Sequence, residues 1–305
     1  MIKIRGMYSL VKRVGRDLRN RYYTRIGRKN PEKLAKMLFK KYHGREMNLD
    51  CPVELGEKIN WLKFRSNTEK WSELTDKYAV RKYVQDSGLG HTLNDLYGVY
   101  DRVEDIHFDT LPDSFVLKST NGGDGKNVLI VKEKERLDIP FVKKELEKWF
   151  TTSFGLASAE PHYQRIKPRI IAEKYLKPQT AEDLSLVDYK FYCLNGKVYS
   201  VFLCCDRIGK ETHYAFYDKA WNFLPGKILS EYEAEKVYPR PRSFDKMVEY
   251  SEILAKEFPI VRVDWYEIDG EPVFGEMTFT PAAGFLFRFT KEYLVEMGEQ
   301  VVLPS

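Results

Sequence analysis

Apolar and polar positions alternate with two different periods along this chain, and the change of period divides it into a helical front and a strand-rich body. Ile4, Met7, Tyr8, Val11, Val14, Leu18 and Tyr22 recur at helical spacing and predict a long amphipathic helix. Asn30-Pro31-Glu32, ahead of KLAKMLFKKYHG, predicts a second helix that starts at the Asn-Pro pair and closes at Gly44. The same period predicts helices over 57–65, 71–87, 141–150 and 244–257; the second of these ends near Gly88 and contains Lys77 beside Asp76. Shorter apolar runs predict strands at 114–118, 128–132 and 169–176. YKFYCLNGKVYSVFLCC reads as two strands about an Asn195-Gly196 turn, a strong short-range hairpin signal. HYAFYDKAWNFLP adds a strand pair or a strand and turn, and Asp269-Gly270 divides a last pair.

The stretch 114–132, SFVLKSTNGGDGKNVLIVK, is the first with chemical content. A strand ends in Lys118, a loop holds Gly122, Gly123 and Gly125, and a second strand follows. Bare backbone N–H groups beside an ammonium can cradle a polyphosphate. Two familiar nucleotide fingerprints fail here. Gly125-Lys126 is followed by Asn127 where a P-loop needs Ser or Thr, and Gly123-x-Gly125 leads into a strand, not a helix. What remains is a strand–loop–strand hairpin, which is either a phosphate cradle or an ordinary glycine-rich turn.

The second chemical stretch is IVRVDWYEIDGEPVFGEMTF. A plain two-residue loop at Asp269-Gly270 sets Asp264 opposite Gly275 and turns Glu276 to the other face. One extra residue aligns Asp264 with Glu276, and Gly275 is the natural place for that bulge. With Thr278 on the same face, two carboxylates and a hydroxyl suit a hard cation. The alternative is a surface hairpin with two unrelated acids.

Composition narrows the class. The 305 residues are 43% apolar, enough for one large domain or two intimate lobes. No apolar run approaches the roughly 18 residues of a membrane span, and the basic N-terminus lacks the uninterrupted apolar stretch of a signal peptide. Cys51, Cys193, Cys204 and Cys205 form neither a disulfide framework nor a CxxC pair, which points to a reducing, cytoplasmic setting. The net charge of +5 conceals an asymmetry. Residues 1–45 hold 15 Lys and Arg against Asp17 and Glu32, leaving the body mildly acidic. A basic amphipathic helix suits an anionic membrane surface, or else packs its apolar stripe on its own protein. Nucleic acid is the least supported partner, since no recognised motif accompanies the charge.

Taken in order, PVELGEKINWLK, TDKYAVRKYV, FVLKSTNGGDGKN, HYQRIKPRIIAEKYL, DYKFYCLNGKVY, VRVDWYEIDGEPVFGEMTF and TPAAGF resemble the ATP-grasp superfamily. The likeness is closest to its teichuronopeptide-biosynthesis (TupA-like) branch and runs from about Asn48 to the C-terminus. It implies an α+β fold in which two α+β lobes clamp ATP. The division expected is a basic helical arm over 1–46, a first lobe over 47–172 and a second over 173–305. It implies Lys77 and Lys118 on the phosphates, with Gly122, Gly123 and Gly125 in a flap above them. Glu173 and Lys174 fall at the adenine, Leu176 supplies hinge backbone, and Asp183, or Glu182 beside it, meets the ribose. Lys190 is a further phosphate lysine, Arg262 stands next to the transferred phosphoryl group, and Asp264, Glu276 and Thr278 are the magnesium ligands. Thr278 departs from the Asn common at that position, and it is the weakest of the three as a ligand.

The implied reaction is ATP- and Mg2+-dependent joining of a carboxylate to an amine or amino acid through an acylphosphate. The branch points to a uronic-acid carboxylate in surface or capsular polysaccharide assembly. No Ser-His-Asp or Cys-His constellation competes with this. A kinase on the same fold, acting on a sugar hydroxyl, stays open. So does a glycosyltransferase of a polysaccharide locus, although no Asp-x-Asp metal motif is evident. The partners expected are a small-molecule or glycan carboxylate and an amine, with an anionic membrane surface for residues 1–45. That places the enzyme in the cytoplasm, peripheral at the inner face of the membrane.

Overall fold

The computed structural model describes residues 2–123, 125, 127–177, 186–208, 211–234 and 237–304, with side chains from residue 15 onward except 205–212. Two long helices lead: α1, Ile2–Lys29, and α2, Pro31–His43. Asn30 caps α2, its side chain accepting from Lys33 N at 2.8 Å, and Gly44 closes it in the left-handed region with φ 69°. The two helices are held differently. Leu34, Ala35, Leu38 and Phe39 of α2 are buried with Ala159 and Phe285. Residues 15–22 of α1 are exposed on every side, and among its described side chains those of the last turns, at Tyr23, Ile26 and Gly27, reach the body.

Helix α3, Leu55–Arg65, follows, and then the helix expected over 71–87 breaks. It forms α4, Glu69–Thr75, and α5, Val80–Val84, with Lys77 in the turn between them and not within a helix. Asp76 causes the break. Its carboxylate accepts from Tyr78 N and Ala79 N at 2.8 and 3.2 Å, satisfying donors that a continuous helix would have used.

Two antiparallel sheets make up the rest. The first has the order β1-β4-β2-β3, from Leu96–Tyr100, Ile170–Lys174, Phe115–Ser119 and Val128–Val131. Helix α6, Ile139–Thr151, capped by Asp138, covers its back, where Phe115 and Leu117 meet Val142 and Leu146. Strand β4 continues through Glu173 and Lys174, so both residues belong to this first sheet.

The second sheet has the order β7-β6-β5-β8-β9, from Glu211–Asp218, Lys197–Ile208, Asp188–Leu194, Ile260–Ile268 and Glu271–Thr278. Asn195-Gly196 (φ 47° and 75°) and Asp269-Gly270 (φ 54° and 80°) close its two tight hairpins. Both central residues of such a turn take positive φ, which these dipeptides tolerate. Period-two alternation then sorts β8. Val261, Val263 and Trp265 face the core against α7, Phe244–Ala255, where the Trp265 indole donates to Ser251 Oγ at 2.8 Å. Arg262 and Asp264 therefore face the other way. Helix α8, Lys291–Glu299, adds Tyr293, Leu294 and Met297 to the same core.

Candidate active site

Three neighbouring strands carry a line of charge across the second sheet. Lys190 on β5, Asp264 on β8 and Glu276 on β9 stand directly opposite one another. Two residues along, Tyr192, Arg262 and Thr278 form the next row on the same face. The alignment of Asp264 with Glu276 depends on a bulge at Gly275, because the register steps from Asp264–Glu276 to Trp265–Phe274. A Cβ on Gly275 would lie 2.9 Å from the Asp264 carbonyl oxygen, closer than side-chain atoms pack.

The rows are joined by short, charge-assisted hydrogen bonds. Arg262 donates to both Asp264 oxygens at 2.6 Å, a bidentate fork, and its Nη2 also donates to Glu276 Oε1 and Thr278 Oγ1 at 3.1 Å. Lys190 donates to Asp264 Oδ2 at 2.6 Å and to Asp188 Oδ2 at 2.5 Å. Asp264, Asp188 and Lys190 are buried, so none of these charges is sustained by water. Burial works against the Lys190 ammonium, but Asp188 and Asp264 overcome it and hold its pKa well above the usual lysine range. Burial raises the Asp264 carboxyl, opposed by Arg262 and Lys190. Burial also works to raise Glu276, but Lys77, Arg262 and Lys190 together bring it down to about 2.

Three oxygens of this face converge on one cationic nitrogen, an arrangement that a hard cation would also draw. Asp264 Oδ2, Glu276 Oε1 and Thr278 Oγ1 all lie within 3.1 Å of one nitrogen, Arg262 Nη2. Among the described residues no three His, Cys, Asp or Glu side chains gather as a metal cluster, so the set consists of two carboxylates and a hydroxyl.

Residues of the first sheet and its neighbouring turn come to meet this face. Lys77 Nζ lies 3.6 Å from Glu276 Oε2 and donates to Gly122 O at 2.6 Å, so one side chain touches both the carboxylate and the glycine-rich loop. Its backbone is anchored too, Lys77 N donating to Thr120 O. Lys118 donates to Glu173 Oε2 at 2.7 Å, and Arg81 reaches Glu173 Oε1 at 3.2 Å. Lys77, Lys118, Glu173 and Leu176 line one wall of a narrow cleft between the sheets, with Tyr266, Phe274 and Gly275 opposite.

Of the residues expected in the site, Lys77, Lys118, Glu173 and Leu176 line this cleft, and Lys77 links it to Glu276 and the Arg262–Asp264 pair. Lys174 is exposed; its ammonium pairs with Asp95 at 3.1 Å and its carbonyl accepts from Asn94 Nδ2 at 2.9 Å. Gly123 lies against the edge of the Phe154 ring, and Gly125 takes φ 66°. Asp183 and Glu182 lie outside the described residues. Two contributors escaped the sequence reading. Asp188 precedes Lys190 by two positions, so period-two spacing alone places it on the same face. Arg81, four residues after Lys77, carried no signal that distinguished it from the surface cations around it.

A family profile described as TupA-like ATPgrasp matches residues 57–302. Solved structures with a similar course include a D-alanine–D-alanine ligase from Bacillus anthracis, 18% identical, with TM-score 0.44 over 75% of this chain and 67% of that one. The D-alanine–D-alanine ligase from Helicobacter pylori is 16% identical, with TM-score 0.43 over 82% and 67%. A phosphoribosylamine–glycine ligase from Thermotoga maritima is 13% identical, with TM-score 0.40 over 71% and 52%, so this chain spans about half of its length. No curated protein matches the sequence.

Proposed function

The chain belongs to the TupA-like ATP-grasp family and is an enzyme of the ATP-grasp ligase class; we propose that it joins a uronic-acid carboxylate to an amine or amino acid. The observation that carries this reading is the meeting of Lys77, Gly122 and Glu276, where a phosphate-cradling loop and a cation-binding carboxylate share one lysine. The cleft between the sheets is the ATP site in this reading, with Leu176, Phe274 and Tyr266 around the base. Asp183 is our candidate for the ribose contact.

Phosphoryl transfer asks for positioning and neutralisation of charge more than for a nucleophilic side chain. Lys77, Lys118 and Lys190 supply positive charge to the phosphates, and the loop at Gly122, Gly123 and Gly125 closes over them and excludes water. Asp264, Glu276 and Thr278 would hold magnesium, which when bound supplies further neutralisation on the phosphate oxygens. A substrate carboxylate oxygen attacks the γ-phosphorus, the bond to ADP breaks, and an acylphosphate forms. The amine then attacks the acyl carbon, phosphate leaves, and the nitrogen gives up a proton. Arg262 is our candidate for meeting the acylphosphate or the tetrahedral oxyanion, through the N–H donors that its fork on Asp264 leaves over. Its tie to Asp264 fixes the plane of the guanidinium before substrate arrives.

The carboxylate class rests on the family branch, which points to surface polysaccharide assembly. ATP as substrate, together with the free cysteines Cys51 and Cys193, suits a reducing cytoplasm. The test is incubation with ATP, magnesium, a uronic-acid glycoside and pooled amino acids. Phosphate release that requires both organic partners, with a product whose mass is their sum less one water, is the expected result. A phosphorylated sugar formed without amine would replace the ligase reading with the kinase one.

A further inference from the structure

We infer that α1 is a membrane-surface helix whose exposed row, Leu18 and Tyr22 flanked by arginines, lies in the headgroup region of an anionic bilayer. The inference does not depend on the ligation chemistry. It starts from how α1 is seated. Gly27 sits so close to the segment after α6 that a Cβ there would clash with the Leu156 carbonyl oxygen, and Tyr23 and Ile26 pack beside it. Those three positions define the face that holds the helix to the body.

The apolar row is on a different face. At 3.6 residues per turn, Leu18 and Tyr22 lie roughly a quarter to a third of a turn from the centre of the seated face. They are 61% and 55% exposed, while Leu34, Leu38 and Phe39 of the neighbouring α2 are sealed in the core. In the sequence, Val14, Val11, Met7 and Ile4 continue the spacing of Leu18 and Tyr22. A stripe of that length with no protein against its described part is what an interfacial helix presents to lipid.

Charge selects the kind of surface. Within Ile2–Lys29 there are ten Lys and Arg and one acid, Asp17. Arg16, Arg19, Arg21 and Arg25 are all exposed. The remainder of the protein is net negative, so an anionic bilayer attracts this end of the molecule and repels the rest. No described helix is long and apolar enough to cross a membrane, which leaves α1 to lie on the surface. Its seat adjoins Ala283, Phe285 and Phe287, in the segment that follows Thr278, so binding through α1 brings the exit of the carboxylate hairpin toward the bilayer.

The test is co-sedimentation of the full chain with vesicles of phosphatidylcholine alone and of phosphatidylcholine with phosphatidylglycerol. Strong pelleting only with the anionic vesicles is expected. Removing Arg16 and Arg19 as a pair of Arg→Gln changes should lower partitioning about fivefold per arginine. Leu18→Glu with Tyr22→Glu should abolish it while leaving thermal unfolding unchanged, since both side chains are already in water. Three results would overturn the inference. The chain could fail to pellet with anionic vesicles. The glutamate pair could pellet as the parent does. Or gel filtration could show a dimer that the same pair converts to monomer, which would make α1 an interface between copies.

Discussion

The two hairpins that face each other across the cleft are built to different standards. In β8–β9, strands of nine and eight residues are closed by a tight Asp-Gly turn, stepped by a glycine bulge and backed by the Trp265 core. In β2–β3, strands of five and four residues lead to the glycine-rich loop, and Val128 and Ile130 of the second strand are exposed. That hairpin is fastened at its root, by Ser119 N to Asn127 O and Thr120 N to Arg169 O, and by the Lys77 ammonium on Gly122 O. The carboxylates we propose as cation ligands sit on the hairpin with the deeper core behind it. The loop we propose as the nucleotide cover sits on the one with less beneath it. Division of labour between a fixed wall and an adaptable one follows from how much core each strand pair covers.

The sharpest way to break this comparison is at Glu276. Glu276→Gln keeps the shape but removes a charge from the cation set, and turnover should fall by about 10²–10³-fold, with nucleotide affinity nearly unchanged. Steady-state kinetics paired with calorimetric ATP titration separates the two; full magnesium-dependent turnover would remove Glu276 from the metal set. Asp264→Asn strikes the same wall through stability. It leaves Lys190 and Arg262 buried with one partner fewer, and urea unfolding should show a loss of about 3 kcal/mol.

On the adaptable wall, Lys118→Ala should weaken ATP binding about tenfold and leave unfolding almost unchanged, because Lys118 meets solvent and pairs with a glutamate that Arg81 also holds. Two glycine substitutions then test rigidity directly. Gly275→Ala drives a methyl into backbone and should cost about 2 kcal/mol. Gly123→Ala meets only the edge of the Phe154 ring, which can move, and should cost about 0.5 kcal/mol. Equal costs in thermal unfolding would mean that the two hairpins are equally rigid.

The smallest effect is one of pH. The folded-state pKa of Glu276, about 2, lies below the usual carboxylate value. Its contribution to stability is therefore present above about pH 4.5 and is lost as pH falls toward 2. Comparison of the unfolding midpoint at pH 5 and pH 3 should show a smaller decline in Glu276→Gln than in the parent.

Much of the candidate site was legible because its grammar is local. Asp269-Gly270 sets a turn, Gly275 offers the single bulge, and alternation then brings Asp264, Glu276 and Thr278 to one face. The same reasoning located the strand that carries Lys118, which runs one residue further to Ser119, and the caps of α2. It failed at Lys77, where the apolar period runs on through 71–87 while the Asp76 side chain captures two backbone donors and stops the helix. Arg169, just ahead of β4 and far along the chain, pairs with the other Asp76 oxygen and so favours the break.

The sequence by itself determined the elements, the turns and which residues each strand turns to one side, because those depend on neighbours within a few residues. It also determined that the N-terminus is basic and amphipathic. Only the tertiary structure decided that α2 is core while residues 15–22 of α1 are exposed, that Lys77 bridges Gly122 and Glu276, and that Glu173 is shared by Lys118 and Arg81. Each of these joins segments tens of residues apart. Side-chain charge carries no record of which distant partner will neutralise it; packing of the two sheets supplies that information.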